Sequence, residues 1–85
     1  MEINKFASWI NNGEETIIVN TQNQKCLILD KSGSNIWSEF LKTLSIEDSI
    51  MNIQCKYNET DKSKISSDVT SLYELLKENN IILEE

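Results

Sequence analysis

The sequence has no histidine and no proline, and its 85 residues include only two glycines and two cysteines. Without histidine, the chain lacks the commonest general base and the commonest side-chain ligand of transition metals. The glycines, Gly13 and Gly33, are isolated from each other and form no glycine-rich phosphate loop. The composition therefore argues against an enzyme and indicates no cofactor.

Long apolar segments are also missing. No run approaches the ~18 apolar residues that a membrane span needs, and the N-terminal MEINKF lacks the basic-then-apolar pattern of a secretion signal. We therefore expect a cytoplasmic protein with no membrane partner. Cys26 lies in an apolar strand pattern and Cys55 in a helical one, which predicts reduced thiols packed in the interior, with a bridge between them as the open alternative.

The chain is acidic, with a formal net charge of -6 and 26% charged residues. Proteins that bind nucleic acid neutralise phosphates with clustered lysine and arginine, so we expect no nucleic-acid partner. The apolar fraction of 39% is typical of a soluble globular protein. A chain of this length has room for one small core, and we expect residues 1–85 to form a single domain.

Three short segments with β-branched and aromatic residues predict strands at 5–10, 15–20 and 25–30. The turn sequences NNGE and TQNQ separate them. Consecutive strands joined by short turns most simply form an antiparallel meander in chain order. The first and third of these strands then form the two edges of the sheet.

The apolar period changes to that of helices after Asp30. Ser34 is a candidate cap of a first helix, and Ser45 with Asp48 resembles the capping box of a second. A third helix is predicted to begin near Thr60 or Asp61, and its apolar stripe consists of Ile65, Val69, Leu72 and Leu76. Asn79 and Asn80 can end it, after which residues 81–83 pack back. The predicted fold class is α+β and winged-helix-like: a three-stranded antiparallel meander followed by three helices.

The third predicted strand is unusual because Cys26, Leu27, Ile28 and Leu29 are consecutive apolar residues that point to both faces of the sheet. Its edge carries no proline, bulge or inward-pointing charge that would prevent pairing with another chain. This pattern predicts that a peptide adds to the sheet as a further strand. Burial of this edge within the monomer, or pairing of two copies through it, is the alternative interpretation.

Three stretches carry a resemblance to a known family. The segment KCLILDKSGSNIWSEFL resembles the strand, small-residue turn and "aa-Ile-Trp-x-x-Leu" helix of the PqqD-like family, the leader-recognition domains of ribosomally made, post-translationally modified peptides. SIEDSIMNIQCKY is similar to the second helix of that family, and SSDVTSLYELLKENNIILEE to its third helix and tail. Tyr73, Asn80 and Cys26 depart from the residues that the family favours at those positions.

The resemblance implies a peptide-binding groove between the third strand and the third helix. The implied residues are Cys26, Leu27, Ile28, Leu29 and Asp30 from the strand, with Val69, Leu72, Tyr73 and Leu76 from the helix. Because Val69, Leu72 and Leu76 share one apolar stripe, we expect at least half of that stripe to belong to the core.

The implied function is that of a non-catalytic adaptor. It would bind the leader of a precursor peptide by strand addition to residues 25–30 and present the core peptide to a modifying enzyme or leader peptidase, as in lasso-peptide or radical-SAM pathways. We expect the acidic positions to be available to a basic surface of that enzyme: Glu39, Glu47, Glu74 and Glu78. The alternatives are a winged-helix DNA-binding regulator and a homodimeric interaction module.

Overall fold

The computed structural model describes residues 1–57 and 61–83. Its elements in chain order are β1 (Glu2–Ile3), β2 (Ala7–Asn11), β3 (Thr16–Asn20), β4 (Lys25–Leu29), α1 (Lys31–Thr43), α2 (Ile46–Lys56), α3 (Lys62–Glu78) and β5 (Ile82–Leu83). Strands β2, β3 and β4 form an antiparallel sheet in that order. The predicted α+β fold, a three-stranded meander followed by three helices, is confirmed.

Asparagine side chains build both turns of the meander. In the first turn, Asn12 Oδ1 accepts hydrogen bonds from the backbone N–H groups of Glu14 and Glu15, and Gly13 adopts a φ of 98°. Such a positive φ favours glycine. In the second turn, Asn20 Oδ1 accepts from Gln22 N–H. These side chains replace backbone partners within the turns, which is why both connections are short.

Acidic or hydroxyl side chains cap the three helices. Asp30 caps α1 by accepting from Gly33 N–H, and Asp61 caps α3 by accepting from Lys64 N–H. The predicted cap of α2 is confirmed, since Ser45 Oγ accepts from Asp48 N–H. The prediction that Ser34 caps α1 is wrong, because the preceding Asp30 already takes that role and the helix begins at Lys31. Thr60, the other predicted start of α3, lies outside the described residues.

The core lies between the inner face of the sheet and the three helices. Trp37 and Phe40 of α1 are almost fully buried, and the ring of Trp37 makes an edge-to-face contact with Trp9 of β2 at 5.3 Å between centroids. Further buried apolar side chains come from every layer: Ile18, Leu29, Ile36, Ile50, Ile53, Ile65, Val69, Leu76, Ile81 and Ile82. The sheet and helices therefore share a single apolar cluster.

The structure also contains a second, two-stranded sheet that the sequence pattern did not predict. Strand β1 pairs antiparallel with β5, which places Ile3 opposite Ile82. Asn80, with a φ of 57°, ends α3, and the chain then turns back so that Ile81 and Ile82 become buried. The predicted return of the tail is thus confirmed. The first predicted strand, at 5–10, corresponds to β2, which begins only at Ala7 because Lys5 and Phe6 form a turn.

The cysteines are placed differently from the prediction. Cys26 and Cys55 are free thiols, and both are exposed rather than packed in the interior. Cys26 lies on the outer face of the sheet, where the apolar pattern of β4 continues without a covering layer. The helical pattern around Cys55 correctly identified α2 but did not show which of its residues face the core.

Two neighbouring leucines on α3 provide a test of this core. Leu76 is 0% exposed and Leu75 is 41% exposed. We expect Leu76→Ala to lower the free energy of unfolding by about 2–5 kcal/mol, because it leaves a cavity. Leu75→Ala should lower it by less than about 1 kcal/mol. Urea denaturation followed by the fluorescence of Trp9 and Trp37 measures both, and equal losses would contradict the described packing of α3.

Candidate functional site

The hydrogen-bond pattern of the sheet determines which backbone groups of β4 are free. Asn12 N–H donates to the Glu15 carbonyl, and Thr21 N–H donates to the Phe6 carbonyl. In an antiparallel pair, residues that exchange hydrogen bonds alternate with residues that do not. The bonded pairs between β2 and β3 are therefore Ser8 with Val19 and Ile10 with Ile17.

It follows that the even-numbered residues of β3 bond to β4, since successive backbone groups point to opposite sides of a strand. Ile18 is paired with Leu27, and Thr16 with Leu29. Leu27 and Leu29 thus direct their N–H and C=O groups to β3. Cys26 and Ile28 direct theirs away from β3, and within the described residues no strand pairs with that side of β4.

Helix α3 lies alongside this open edge. At one end, Asn20 Nδ2 donates to the carbonyls of Asn79 and Asn80 at the end of α3, and Asn20 is paired with Lys25, the first residue of β4. At the other end, residues of the first half of α3 share a cavity with Lys31, which follows the last residues of β4. The helix therefore runs from the end of β4 back to its start.

The lengths of the two elements agree with this arrangement. Five strand residues extend about 17 Å, and the eleven-residue step from Asp68 to Asn79 covers about 16 Å of helix.

A second buried asparagine holds the same end of α3, because Asn4 Nδ2 donates to the Asn80 carbonyl at 2.7 Å. The hydrogen-bonded end and the matched lengths place α3 along β4, and the space between these two elements is called the groove below.

A cavity between the starts of α1 and α3 and the end of α2 has a volume of about 420 Å³. Its floor is apolar and its rim carries charge. Lys31, Ser32, Asn35 and Ile36 of α1, Ile53 and Tyr57 at the end of α2, and Lys64, Ile65, Asp68 and Val69 of α3 line it. Such a cavity suits an apolar side chain of a ligand whose polar backbone stays near the rim.

The start of α1 is fixed against β4 by a short hydrogen-bond chain. Thr16 Oγ1 donates to Ser34 Oγ at 2.7 Å, and Ser34 Oγ donates to the Leu29 carbonyl at 3.4 Å. Gly33 lies so close that an added Cβ would be 3.2 Å from Leu29 Cβ. This close packing ties α1 to the sheet and so fixes the wall of the cavity that α1 provides.

The residues predicted for the groove fall into three groups in the structure. Leu29, Val69 and Leu76 are buried in the core, so their side chains support the groove from behind. Leu27, Leu72 and Tyr73 are half-buried and pack against the core. The exposed members are Cys26, Ile28 and Asp30. Three of the four stripe residues of α3, Ile65 included, are buried, as the stripe predicted.

Leu75 is a surface residue that the sequence analysis missed. Leu75 lies seven residues after Asp68 and eleven after Lys64, which are whole numbers of helical turns to within about 20°. It therefore lies on the side of α3 that lines the cavity. With 41% of its surface exposed, it offers an apolar contact beside the groove. Tyr73 lies roughly on the opposite flank of the helix. The spacing of Leu75 from Lys64 along the predicted helix was the signal that could have identified Leu75 as a surface contact.

One of the predicted acidic surface positions is corrected. Glu39 is only 5% exposed, so it is not available to a partner. Its carboxylate accepts from Asn52 Nδ2 at 3.2 Å and lies 3.6 Å from Lys42 Nζ. Glu39 therefore connects α1 to α2, whereas Glu47, Glu74 and Glu78 are exposed.

Neither a metal site nor a membrane helix is evident in the part of the chain that the structure describes. Within residues 1–57 and 61–83, no group of three cysteine, aspartate or glutamate side chains is arranged to hold a metal ion. Over the same ranges, none of the helices has both the length and the apolar character of a bilayer span.

These features define a small α+β domain whose sheet keeps one edge open beside a helix. The model of the family described as "Coenzyme PQQ synthesis protein D (PqqD)" matches residues 15–82, and the chain belongs to that family. The resemblance seen in the sequence is thereby confirmed. A comparison with curated proteins gives no significant match.

A solved structure shows the same fold over the whole chain. The structure titled "TbiB1 in Complex with the TbiA(beta) Leader Peptide" superimposes with a TM-score of 0.88 at 20% sequence identity. The alignment covers 100% of this chain and 98% of that chain. The arrangement of strands and helices in this chain is therefore a known architecture.

Hydrogen exchange tests the assignment of the open edge. In the free protein we expect the amide protons of Cys26 and Ile28 to exchange quickly with solvent and those of Leu27 and Leu29 slowly, because only the latter donate to β3. Residue-resolved exchange measured by NMR gives the four rates. Slow exchange at Cys26 and Ile28 in the monomer would contradict an open edge.

Proposed function

We propose that this protein is a non-catalytic adaptor for a ribosomally made, post-translationally modified peptide. It binds the leader of the precursor as an added strand alongside residues 25–30 and presents the core peptide to a modifying enzyme or leader peptidase. The observation that carries the proposal is the free row of backbone groups on Cys26 and Ile28 beside an apolar groove.

The comparisons support the proposal from a second direction. TbiB1, whose fold this chain shares, is described in its title as bound to the TbiA(beta) leader peptide. Family membership and the open edge of β4 together favour a peptide ligand over the alternatives. Cytoplasmic placement belongs to the same proposal, because the precursor and its modifying enzyme would meet the adaptor where the peptide is synthesised.

Backbone pairing alone is too weak to hold the leader. Cys26 and Ile28 offer up to four hydrogen bonds, each with a net contribution of about 0.5–1.5 kcal/mol. Association costs about 4–15 kcal/mol in lost freedom. Two or three apolar leader side chains must therefore be buried, each contributing about 1.5–3 kcal/mol. The cavity floored by Ile36, Ile53 and Val69 is a suitable place for one of them.

The adaptor needs no reactive group of its own. By holding the leader, it keeps the core peptide close to the enzyme at an effective concentration that can reach the mM range. The exposed carboxylates of Glu74 and Glu78 on α3 lie outside the core and are suited to meet a basic surface of that enzyme. The enzyme then supplies all of the bond chemistry.

The charge of α3 argues against the DNA-binding alternative. A recognition helix needs a basic face that contacts phosphates. Acidic residues balance the basic ones on this helix: Lys62, Lys64 and Lys77 against Asp68, Glu74 and Glu78. The polar outer surface of α3 is built mainly from serine and threonine. No feature of the helix favours DNA.

Titration of the ¹⁵N-labelled protein tests the proposal. The probes are synthetic peptides that cover the first half of each short reading frame next to the gene. We expect one of them to give saturable shifts in the amides of residues 25–30 and to slow exchange at Cys26 and Ile28. If no peptide affects β4, or if duplex DNA binds in a salt-sensitive manner, the proposal is wrong.

Two exposed leucines provide matched variants for the same titration. We expect Leu75→Ala to weaken peptide binding by about tenfold, because it removes apolar contact beside the groove. Leu44 is similarly exposed, at 47%, but it lies beyond the far end of α1, about 20 Å along the helix axis from Lys31. Leu44→Ala should leave the affinity unchanged, and equal effects of both variants would contradict the placement of the groove.

A further inference from the structure

The outer face of the sheet carries an apolar row that no other element covers within the described residues. The register places Ile10 of β2, Ile17 of β3 and Ile28 of β4 side by side across the three strands. Ile10 is 67% exposed, Ile28 is 64% exposed and Ile17 is half-buried between them. An apolar row of this kind on the solvent side of a sheet calls for a partner.

The row ends at the same residue whose backbone is free. The side chain of Ile28 points to the outer face, and its N–H and C=O groups point to the open edge. A residue that exchanges hydrogen bonds with Ile28 in an antiparallel pair therefore lies directly opposite, with its side chain on that outer face. The next residue of the same peptide points to the inner face of the sheet, on the side of Leu27.

We infer that the peptide recognised by this protein continues the row of Ile10, Ile17 and Ile28 with a fourth apolar side chain. This inference rests on the proposed function, because it takes the added strand on β4 as its starting point. A β-branched or aromatic side chain beside Ile28 makes a favourable cross-strand pair and removes the exposed isoleucine from water. The recognised segment thus carries apolar side chains at neighbouring positions, one for each face.

This pattern distinguishes the ligand from an ordinary half-buried strand. A strand that uses only the groove needs apolar residues at every second position, and its outward positions can be polar. Here the outward position beside Ile28 also contributes to affinity. Specificity is therefore divided between the inner groove and the outer row, and a peptide that alternates apolar and polar residues binds less tightly.

Ile28 and Ile10 form a matched pair for the test. They are the same residue type, in the same row and almost equally exposed, but Ile10 lies two strands from the open edge. An added strand lies about 4.8 Å from β4 and about 14 Å from β2. Ile28→Thr therefore removes the contact with the peptide, and Ile10→Thr makes an equivalent change out of its reach. Threonine keeps the β-branched shape in both variants.

The probe is a library of random twelve-residue peptides, displayed on their mRNA and selected on the wild-type protein. The most enriched sequence is synthesised with a fluorescent label, and its dissociation constant is measured by anisotropy with each variant. We expect adjacent apolar residues in the enriched peptides. Ile28→Thr should weaken binding roughly fivefold or more, and Ile10→Thr should change it less than about twofold.

A change in the peptide gives an independent readout that does not alter the protein. Replacing the outward residue of the selected peptide with serine should weaken its binding to the wild-type protein. The same replacement should have little further effect with Ile28→Thr, because the pair is already broken. The coupling energy from this double-mutant cycle can be interpreted even if one protein variant is less stable. Thermal unfolding measures the stability of each variant.

The possible results separate failure of the inference from failure of the proposed function. If bound peptides slow amide exchange at Cys26 and Ile28 but Ile28→Thr has no effect, the outer row plays no part and only the inference fails. Equal losses with Ile28→Thr and Ile10→Thr would assign the whole outer face to a second copy or another protein, and would also overturn it. If no selected peptide protects the amides of β4, both the proposed function and the inference fail.

Discussion

The direction of the backbone groups in β4 is the constraint on which the site depends. Because the even-numbered residues of β3 bond to β4, Lys25, Leu27 and Leu29 direct their backbone groups into the sheet. Cys26 and Ile28 are left facing outward, and the chain passes through Asp30 directly into α1. Within the described residues that side of β4 is therefore unpaired as a result of the register itself, and it is the side on which the proposed peptide strand would pair.

Two buried asparagines give this edge its second wall. Asn4 and Asn20 hold the end of α3 by donating to the carbonyls of Asn79 and Asn80. Hydrogen bonds from buried side chains position the helix more specifically than apolar contact alone, because leaving the donors unpaired is costly. The helix is thereby kept along β4, with the cavity of Ile53 and Val69 at the opposite end.

Much of this architecture was predictable from the sequence. The strands at 15–20 and 25–30 were recognisable because β-branched runs alternate with asparagine turns, and three helices follow from their apolar periods. The pairing of β1 with β5 was not, since two-residue strands carry no period. The cap of α1 was misplaced because Asp30 and Ser34 are both good capping residues, and only the structure shows that Ser34 instead bonds to Thr16.

The position of the candidate site on β4 came from the sequence, but its surface residues did not. The consecutive apolar residues of β4 indicated an open edge, and within residues 1–57 and 61–83 no strand pairs with the outer side of β4. Which side chains line the groove depends on how α3 is rotated, and that rotation is set by tertiary packing. Leu75 therefore emerged only from the structure, and the burial of Glu39 depended on the contact of α1 with Asn52 of α2.

A single-atom change in the backbone tests the central claim most directly. The cysteines at positions 26 and 55 allow the chain to be assembled from three synthetic segments, with the amide between Leu27 and Ile28 replaced by an ester. The ester removes the Ile28 N–H and keeps every side chain. If a peptide uses the open edge, the selected peptide should bind at least about fivefold more weakly. Thermal unfolding serves as the control, because the ester also weakens the Leu27 carbonyl as an acceptor from β3. An affinity equal to that of the all-amide protein would contradict strand addition at β4.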